Sequence, residues 1–417
     1  MKEEIFRHLQ NAEKLEDLYR KDKSTFRKIF LESSAEIPGG SGKDFWLERL
    51  KADKSESISW GKPQDWYLIF FAALAGGLVL KLPVFFHLKE DDFFPRNLVF
   101  AFAPGLMVFL SKRSKTKDWF FYYSLIFMGM LALYINLLPG PPETRDSIWL
   151  ACLHLPVLIW LLLARLNSGD AIRNTTRENT GFIRFSAELL VMCGLMMAAG
   201  GLFTAILLGL FQAIGIPIHQ IYFEWFGVFG AAGIPLLATL ILKENPELLN
   251  QVAPVVAGIF TPLALLALLI FLPALLLSGR NLFGDREFLL VFNLLLLGVL
   301  ALIFFSLPEI EQHPQKRAGL LVLTGLSMLC LLVNSIALSA IVYRVFSFGI
   351  TANRAAVLGS NLLILTNLFL VCRQLILSLK SPERPEEASR SIGQFLPVYG
   401  IWAFLVIFFF PLLFGFR

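Results

Sequence analysis

Long runs of hydrophobic residues, separated by short polar segments, cover most of this sequence of 417 residues. An α-helix needs about 20 apolar residues to cross about 30 Å of hydrocarbon, and many of the runs approach or exceed that length. The regular alternation of apolar and polar residues that a membrane β-barrel requires is absent. The pattern therefore predicts an all-α fold, a polytopic transmembrane helical bundle of about 11 spans. The predicted spans are 66–86, 97–111, 118–138, 147–165, 183–213, 219–242, 252–278, 287–307, 318–343, 355–377 and 394–415.

The first 62 residues follow a different pattern, in which apolar residues recur at helical spacing within a polar sequence. Leu15, Leu18 and Tyr19 are one such set, and Phe45, Trp46 and others form a second face after a Pro-Gly-Gly turn. We expect a small cytosolic helical segment at residues 1–62 and the transmembrane bundle at residues 63–417. The segment is suited to packing on the bundle or on a cytosolic protein. No apolar core follows a basic start, so a cleavable signal peptide is not expected.

Composition and charge placement agree with a membrane location. Hydrophobic residues make up 56% of the chain and the mean hydropathy is +0.65, whereas soluble domains have roughly 45–50% apolar residues. Of the 37 Lys and Arg residues, 28 lie in the N-terminal segment or in loops on its side, against 8 on the other side. The bias predicts a membrane protein with a cytosolic N-terminus and an outside C-terminus. Because topology explains the net charge of +5, no nucleic-acid partner is expected.

Motifs that indicate common enzyme or metal sites are missing from the sequence. There is no P-loop, HExxH or GxSxG motif, and the five histidines are widely scattered. The four cysteines lie in or beside apolar spans with no metal-ligand spacing, and are expected to be small core residues. No metal or cofactor is therefore predicted. An enzyme remains possible, because distant helices can assemble an intramembrane site.

Ionisable residues within membrane spans are candidates for function because they are unfavourable in hydrocarbon unless they find partners. Three such candidates are Lys81, His154 and Glu188. Glu188 follows Arg184 by one helical turn, which indicates an i,i+4 ion pair, with a proton or cation site as the alternative. The stem of Lys81 can extend to the headgroups near the outer end of its span. His154 is typical of a hydrogen-bonded residue between helices, with a proton relay as the alternative.

Carboxamide side chains in the spans are predicted to form hydrogen bonds between helices. The residues concerned are Asn293, Asn334, Asn361 and Asn367.

A short segment between the ninth and tenth spans combines positive charge with a predicted turn. Gly349 suits a tight turn, and Thr351 is placed to cap the next helix. Arg354 in the first helical turn opposes the helix dipole, which indicates an anionic partner. We expect the arginines of this segment and of the second span to converge on one anionic group, with separate anchoring in the headgroups as the alternative. The anion-binding candidates are Arg96, Asn97, Arg344, Thr351, Asn353 and Arg354.

The same turn carries a resemblance to a known family. The sequence Phe348-Gly349-Ile350-Thr351-Ala352-Asn353-Arg354 resembles an aromatic-Gly-Leu/Ile-Thr-x-Asn-Arg turn in the bacterial multi-pass membrane family called domain of unknown function 4153. Phe348 stands where that family usually has Tyr, and Ile350 where it usually has Leu. The resemblance implies a multi-pass protein of the bacterial cytoplasmic (inner) membrane and implies no activity for any residue.

Three functions are compatible with these features. The leading hypothesis is a transporter or permease-like protein for a small or lipid-linked anionic solute, because the chain has many spans, polar intramembrane residues and outward Arg-Asn pairs. The second is a membrane scaffold or regulatory protein whose N-terminal segment docks a cytosolic partner. The third is an intramembrane transferase acting on a lipid-linked substrate, which would need an acidic residue or a histidine close to an outward arginine. The expected partners are the lipid bilayer, an anionic solute or lipid headgroup, and a cytosolic protein at residues 1–62.

Overall fold

The structure of the chain is a computed structural model. All regular secondary structure in the described residues is helical, and none of these residues forms a strand. The chain divides into two compact units, Met1–Trp60 and Gly61–Arg417. The described residues are 2–8, 11–21, 26, 29–31, 33, 41–52, 60–114, 116–168, 175–213, 219–245, 260–270, 272–273, 296–303, 306, 317–380 and 385–416.

The N-terminal unit contains helices α1 (Lys2–Arg7), α2 (Ala12–Lys21) and α3 (Ser41–Ala52). Their apolar faces meet in one small aromatic core, as the helical spacing of these residues predicts. Tyr19 and Trp46 pack edge to face with ring centroids 5.5 Å apart. Arg49 lies over both rings and pairs with Glu16 at 3.0 Å. The core residues are Ile5, Leu15, Tyr19, Phe26, Phe30, Trp46 and Leu50.

The second unit contains nine described helices that are long and apolar enough to cross a membrane. They match nine of the predicted spans, which confirms a helical architecture compatible with a membrane bundle. Of predicted spans 252–278 and 287–307, the structure describes only residues 260–270, 272–273, 296–303 and 306, all of them helical. With the shorter α10 and α14 included, the helices are α4 (Pro63–Phe86), α5 (Glu90–Ser114), α6 (Asp118–Leu137), α7 (Asp146–Asn167), α8 (Thr175–Ala213), α9 (His219–Glu244), α10 (Phe260–Ile270), α11 (Arg317–Phe348), α12 (Ala352–Lys380), α13 (Pro385–Phe408) and α14 (Phe410–Leu413).

Helix α5 begins seven residues before the predicted span, at Glu90 instead of Asn97. The segment Glu90-Asp91-Asp92 is polar, and Pro95 follows it, so hydropathy alone does not identify it as helix. Acidic side chains in the first turn interact favourably with the positive end of the helix dipole. The helix therefore extends beyond its apolar stretch.

Two large apolar clusters fill the described part of the bundle. One joins α4 through α9, with Met107, Leu131 and Leu155 among its most deeply buried members. The other joins α11, α12 and α13 to residues 296–303, and includes Leu323 and Leu368. We call the end that contains the start of α4 and the last turns of α5, α7 and α9 the proximal end. The opposite end, which contains the last turn of α4 and the start of α5, is the distal end.

Candidate functional site

Two glycines of α4 allow it to pack closely against α5 and α9. A Cβ atom on Gly76 would meet the backbone carbonyl of Ala101, and one on Gly77 would meet the ring of Phe229. Small residues at membrane helix interfaces permit such close approach of two backbones. Helices α4 and α9 run antiparallel, so the residue one turn beyond Gly77 faces the residue one turn before Phe229. These two residues are Lys81 and Trp225.

Lys81 lies between these helices at the distal end and is only 5% exposed. Its Nζ atom lies 5.1 Å from the centroid of the Trp225 ring. Within the described part of the chain its ammonium group makes no hydrogen bond or ion pair. The sequence analysis expected the stem of Lys81 to extend to the headgroups; the side chain is instead covered by protein. A buried ammonium without an acceptor is unfavourable by several kcal/mol, and a desolvated cation–π contact offsets about 2 kcal/mol of this.

The helix that carries Trp225 is locally wider than an α-helix. Residues Tyr222–Gly227 of α9 form a π-helical turn, a geometry that often occurs at functional sites. The turn is tied to α8 by a 2.8 Å hydrogen bond between the hydroxyls of Thr204 and Tyr222. Beside Trp225, the Glu224 carboxylate accepts a hydrogen bond from Gln220 at 3.1 Å.

Glu188 lies in a group of charged side chains at the proximal end. It is buried, and its Oε1 accepts a hydrogen bond from Arg184 Nε at 2.9 Å, which confirms the predicted i,i+4 pair. Lys243 of α9 also interacts electrostatically with Glu188. The Lys243 ammonium donates to Asn167 Oδ1 at 2.8 Å and lies 4.4 Å from the Phe185 ring centroid. Glu188 thus has two cationic neighbours, as expected of a structural ion pair.

Arg113 links α5 to both of its neighbours at the same end. It forms ion pairs with Asp65 of α4, at 3.2 Å, and with Glu244 of α9. The hydroxyls of Ser114, at the end of α5, and of Thr116, in the loop after it, donate hydrogen bonds to the backbone carbonyls of residues 167 and 166. These bonds satisfy carbonyls in the last turn of α7 that have no partner within the helix. Charged and hydroxyl side chains therefore fasten α4, α5, α7 and α9 together at the proximal end.

Arg96 satisfies the backbone at the end of α6 and in the loop after it. Its Nη1 donates to the carbonyls of Ile135 at 2.9 Å, Asn136 at 3.3 Å and Leu138 at 3.0 Å, and its Nη2 donates to Gly140. Asp92, one turn earlier, lies 3.1 Å from Nε. Because carbonyls occupy both terminal nitrogens and a carboxylate balances the charge, these contacts favour a structural role for Arg96 over anion binding.

Asn97 forms a reciprocal carboxamide pair with Asn136 of α6. Asn97 Nδ2 donates to Asn136 Oδ1 at 3.0 Å, and Asn136 Nδ2 donates to Asn97 Oδ1 at 2.8 Å. The second hydrogen of each amide is directed to a carbonyl of its own helix. Asn136 is thus a partner that the sequence analysis missed.

The turn before α12 has the local geometry that its sequence predicts. Gly349 has a φ of 77°, in the left-handed region, and the Thr351 hydroxyl accepts the backbone N–H of Arg354 at 3.3 Å. Arg354 Nη1 donates to the carbonyls of Phe348 and Gly349, each at 2.8 Å. Its guanidinium thus binds its own turn.

The anion-binding candidates are not joined to one another across the bundle. In the described part of the chain, Arg96 donates to the carbonyls of residues 135, 136, 138 and 140, whereas Arg354 donates to those of Phe348 and Gly349, so the two share no partner. The side chains of Arg344 and Asn353 are half-buried and make no hydrogen bond with a described residue. Convergence of these residues on an anion therefore remains a prediction.

The remaining polar candidates contact neighbouring helices or their own helix. Asn334 donates to the Asn361 carbonyl at 3.2 Å, and Asn367 donates to the Tyr399 hydroxyl at 3.0 Å, which confirms two of the predicted interhelical bonds. His154 Nδ1 lies 2.9 Å from the Leu150 carbonyl of its own helix. Asn293 lies outside the described residues. No group of three or more potential metal ligands occurs among the residues described.

Comparison with protein families, curated proteins and solved structures finds no match to this chain.

Proposed function

We propose that this chain is a membrane-anchored binding or regulatory protein whose N-terminal unit docks a cytosolic partner. The observation that supports this function best is the compact N-terminal unit, which has an aromatic core of its own. A segment that served only as a polar tail would not need Tyr19, Trp46 and Phe30 in a shared core. The contacts of the bundle also favour an anchor, because Arg96 and Glu188 are held by other protein groups.

The topology of this proposal follows the distribution of basic residues. The N-terminal unit and the proximal end face the cytosol of a bacterial cell, and the C-terminus faces outside after about 11 spans. An aromatic groove at the start of α4, lined by Trp66, Tyr67, Phe70 and Phe71, is suited to the membrane interface, where Trp and Tyr concentrate.

Photocrosslinking in intact cells tests the docking function. Phe45 is 59% exposed in the N-terminal unit, and a photoreactive phenylalanine there should give a discrete protein adduct. The matched control is Phe71 of α4, which is 62% exposed and should react with lipid. The adduct at position 45 should persist at endogenous expression levels and disappear when an excess of the N-terminal unit competes.

A truncated chain decides between anchor and permease. In a strain that lacks the gene, residues 61–417 should fail to restore the wild-type phenotype, although they reach the membrane in normal amount. Fusion of residues 1–60 to an unrelated membrane anchor should restore at least part of it. Full rescue by residues 61–417 alone would contradict the docking function.

A second candidate is a permease-like protein for a small or lipid-linked anionic solute. Lys81 favours it, because a buried positive charge that forms no ion pair with a described residue is suited to an anionic ligand. Rescue by the bundle alone, with loss of that rescue in Lys81→Met, would support this candidate.

A further inference from the structure

The distal end of α4 contains a positive charge that forms no ion pair with any residue that the structure describes. Lys81 is buried by the close contact of α4 with α5 and α9, and its ammonium forms a cation–π contact with the Trp225 ring. Among the described residues, Glu224 is the acidic side chain nearest to Trp225 in sequence, and its carboxylate is exposed and bonded to Gln220. A ligand that supplies negative charge would therefore complete the coordination of the ammonium group.

The surroundings of Lys81 indicate which ligand could approach it. Trp225 is 44% exposed, and Phe85, one turn beyond Lys81 on α4, packs against it with ring centroids 6.4 Å apart. Phe86 and Phe226 are also exposed large apolar residues at this end. The approach to the ammonium is thus bordered by hydrophobic rings, which suit acyl chains better than a water-soluble solute.

The burial of Lys81 limits the ligand further. Only 5% of the residue is exposed, which favours a ligand that presents a small polar group to the ammonium. Phosphate oxygens form strong charge-assisted hydrogen bonds with lysine. An indole ring beside the ammonium is typical of the membrane interface, where one side of the residue is apolar and the other polar.

We propose that Lys81 and Trp225 form a binding site for the phosphate of an anionic membrane lipid, whose acyl chains lie along Phe85 and Phe226. The inference names the ligand of the site that favours the second candidate function, and it does not depend on the N-terminal unit. A bound lipid would fasten α4 to the π-helical turn of α9 at the distal end.

The test uses the purified full chain in nanodiscs of phosphatidylcholine, with and without phosphatidylglycerol. Phosphatidylglycerol should raise the thermal unfolding midpoint of the wild type, and native mass spectrometry should detect a retained phosphatidylglycerol molecule. Lys81→Met should lower the apparent affinity at least about tenfold, the equivalent of one charge-assisted hydrogen bond. Lys89→Met is the matched control, because Lys89 is exposed at the same end of the bundle, and it should keep the wild-type response.

A second measurement separates ligand loss from misfolding. In phosphatidylcholine alone, Lys81→Met should be at least as stable as the wild type, because it removes a buried charge that forms no ion pair with any described residue. A marked loss of stability there would show that Lys81 is paired within the protein and would overturn the proposal. An equal phosphatidylglycerol response in wild type and Lys81→Met would also overturn it.

Inorganic phosphate distinguishes a lipid from a soluble anion. A Lys81-dependent stabilisation by phosphate, with none by phosphatidylglycerol, would refute the lipid ligand while leaving the permease candidate intact. If neither ligand gives a Lys81-dependent response, the lipid site is refuted, and Lys81 no longer supports the permease candidate.

Discussion

Replacing Arg96 with lysine keeps the positive charge but removes the planar guanidinium that reaches four backbone carbonyls. These carbonyls belong to residues 135, 136, 138 and 140, at the end of α6 and in the following loop. A lysine ammonium can approach one or two of them, because it is a point donor on a flexible stem. At least two carbonyls and the contact to Asp92 are then weakened.

The expected loss of stability follows from those contacts. Polar contacts in membrane proteins contribute about 0.6 kcal/mol on average and up to about 1.7 kcal/mol, and hydrogen bonds to charged groups lie at the upper end. Two or three weakened contacts give about 2–4 kcal/mol for Arg96→Lys. At about 2 °C per kcal/mol for a large chain, the unfolding midpoint in detergent should fall by about 4–8 °C.

Arg354→Lys is the matched control for this substitution. Arg354 also donates to two carbonyls, but they lie in an exposed turn where water can replace the lost bonds. Its midpoint should remain within about 1 °C of the wild type. An unchanged midpoint in Arg96→Lys, or stabilisation of the wild type by phosphate that this variant lacks, would refute the structural role of Arg96 and revive anion binding.

Further substitutions test other contacts and the topology. Glu188→Gln should lower the free energy of unfolding by about 1 kcal/mol, measured by thermal denaturation. Loss of a pH-dependent activity without loss of stability would contradict the structural ion pair. Gly359→Ala should lower the free energy of unfolding by about 1–3 kcal/mol, because the new methyl group meets the Trp402 ring. Its control is Gly129→Ala, where the methyl group enters open space, and this variant should be neutral or slightly stabilising in the same assay. A cysteine at Ile350, which is 69% exposed, should react with a membrane-impermeant reagent in intact cells, and reaction only after lysis would reverse the proposed topology.

Hydropathy identifies most of the bundle because each long apolar run has one favourable state in lipid, a helix. The same reasoning fails at the start of α5, where the dipole and an ion pair between Asp92 and Arg96 extend the helix into polar sequence. Local turn chemistry was also predictable, since Gly349 and Thr351 act within a few residues of their own positions.

Contacts between distant parts of the sequence were not predictable in the same way. Asn97 and Asn136 are 39 residues apart, and no local pattern indicates that their carboxamides pair. Arg113 was recognised only as one basic residue in a loop, whereas its two carboxylate partners come from α4 and α9. Such pairs depend on the register between helices, which is set by packing at positions such as Gly76 and Gly77.

The distribution of charge in the bundle separates residues that stabilise the fold from those available to a ligand. At the proximal end Arg113 and Lys243 have protein partners on neighbouring helices, and at the distal end Arg96 is satisfied by α6 and its loop. Removing any of these groups leaves a partner without its bond, so stability must fall. Lys81 differs because its characterised contact is an aromatic ring, which does not become an unpaired charge when the lysine is removed. Substitution at Lys81 should therefore affect ligand binding more than folding, and this contrast makes it the residue at which a function of the bundle can be tested without destroying the bundle.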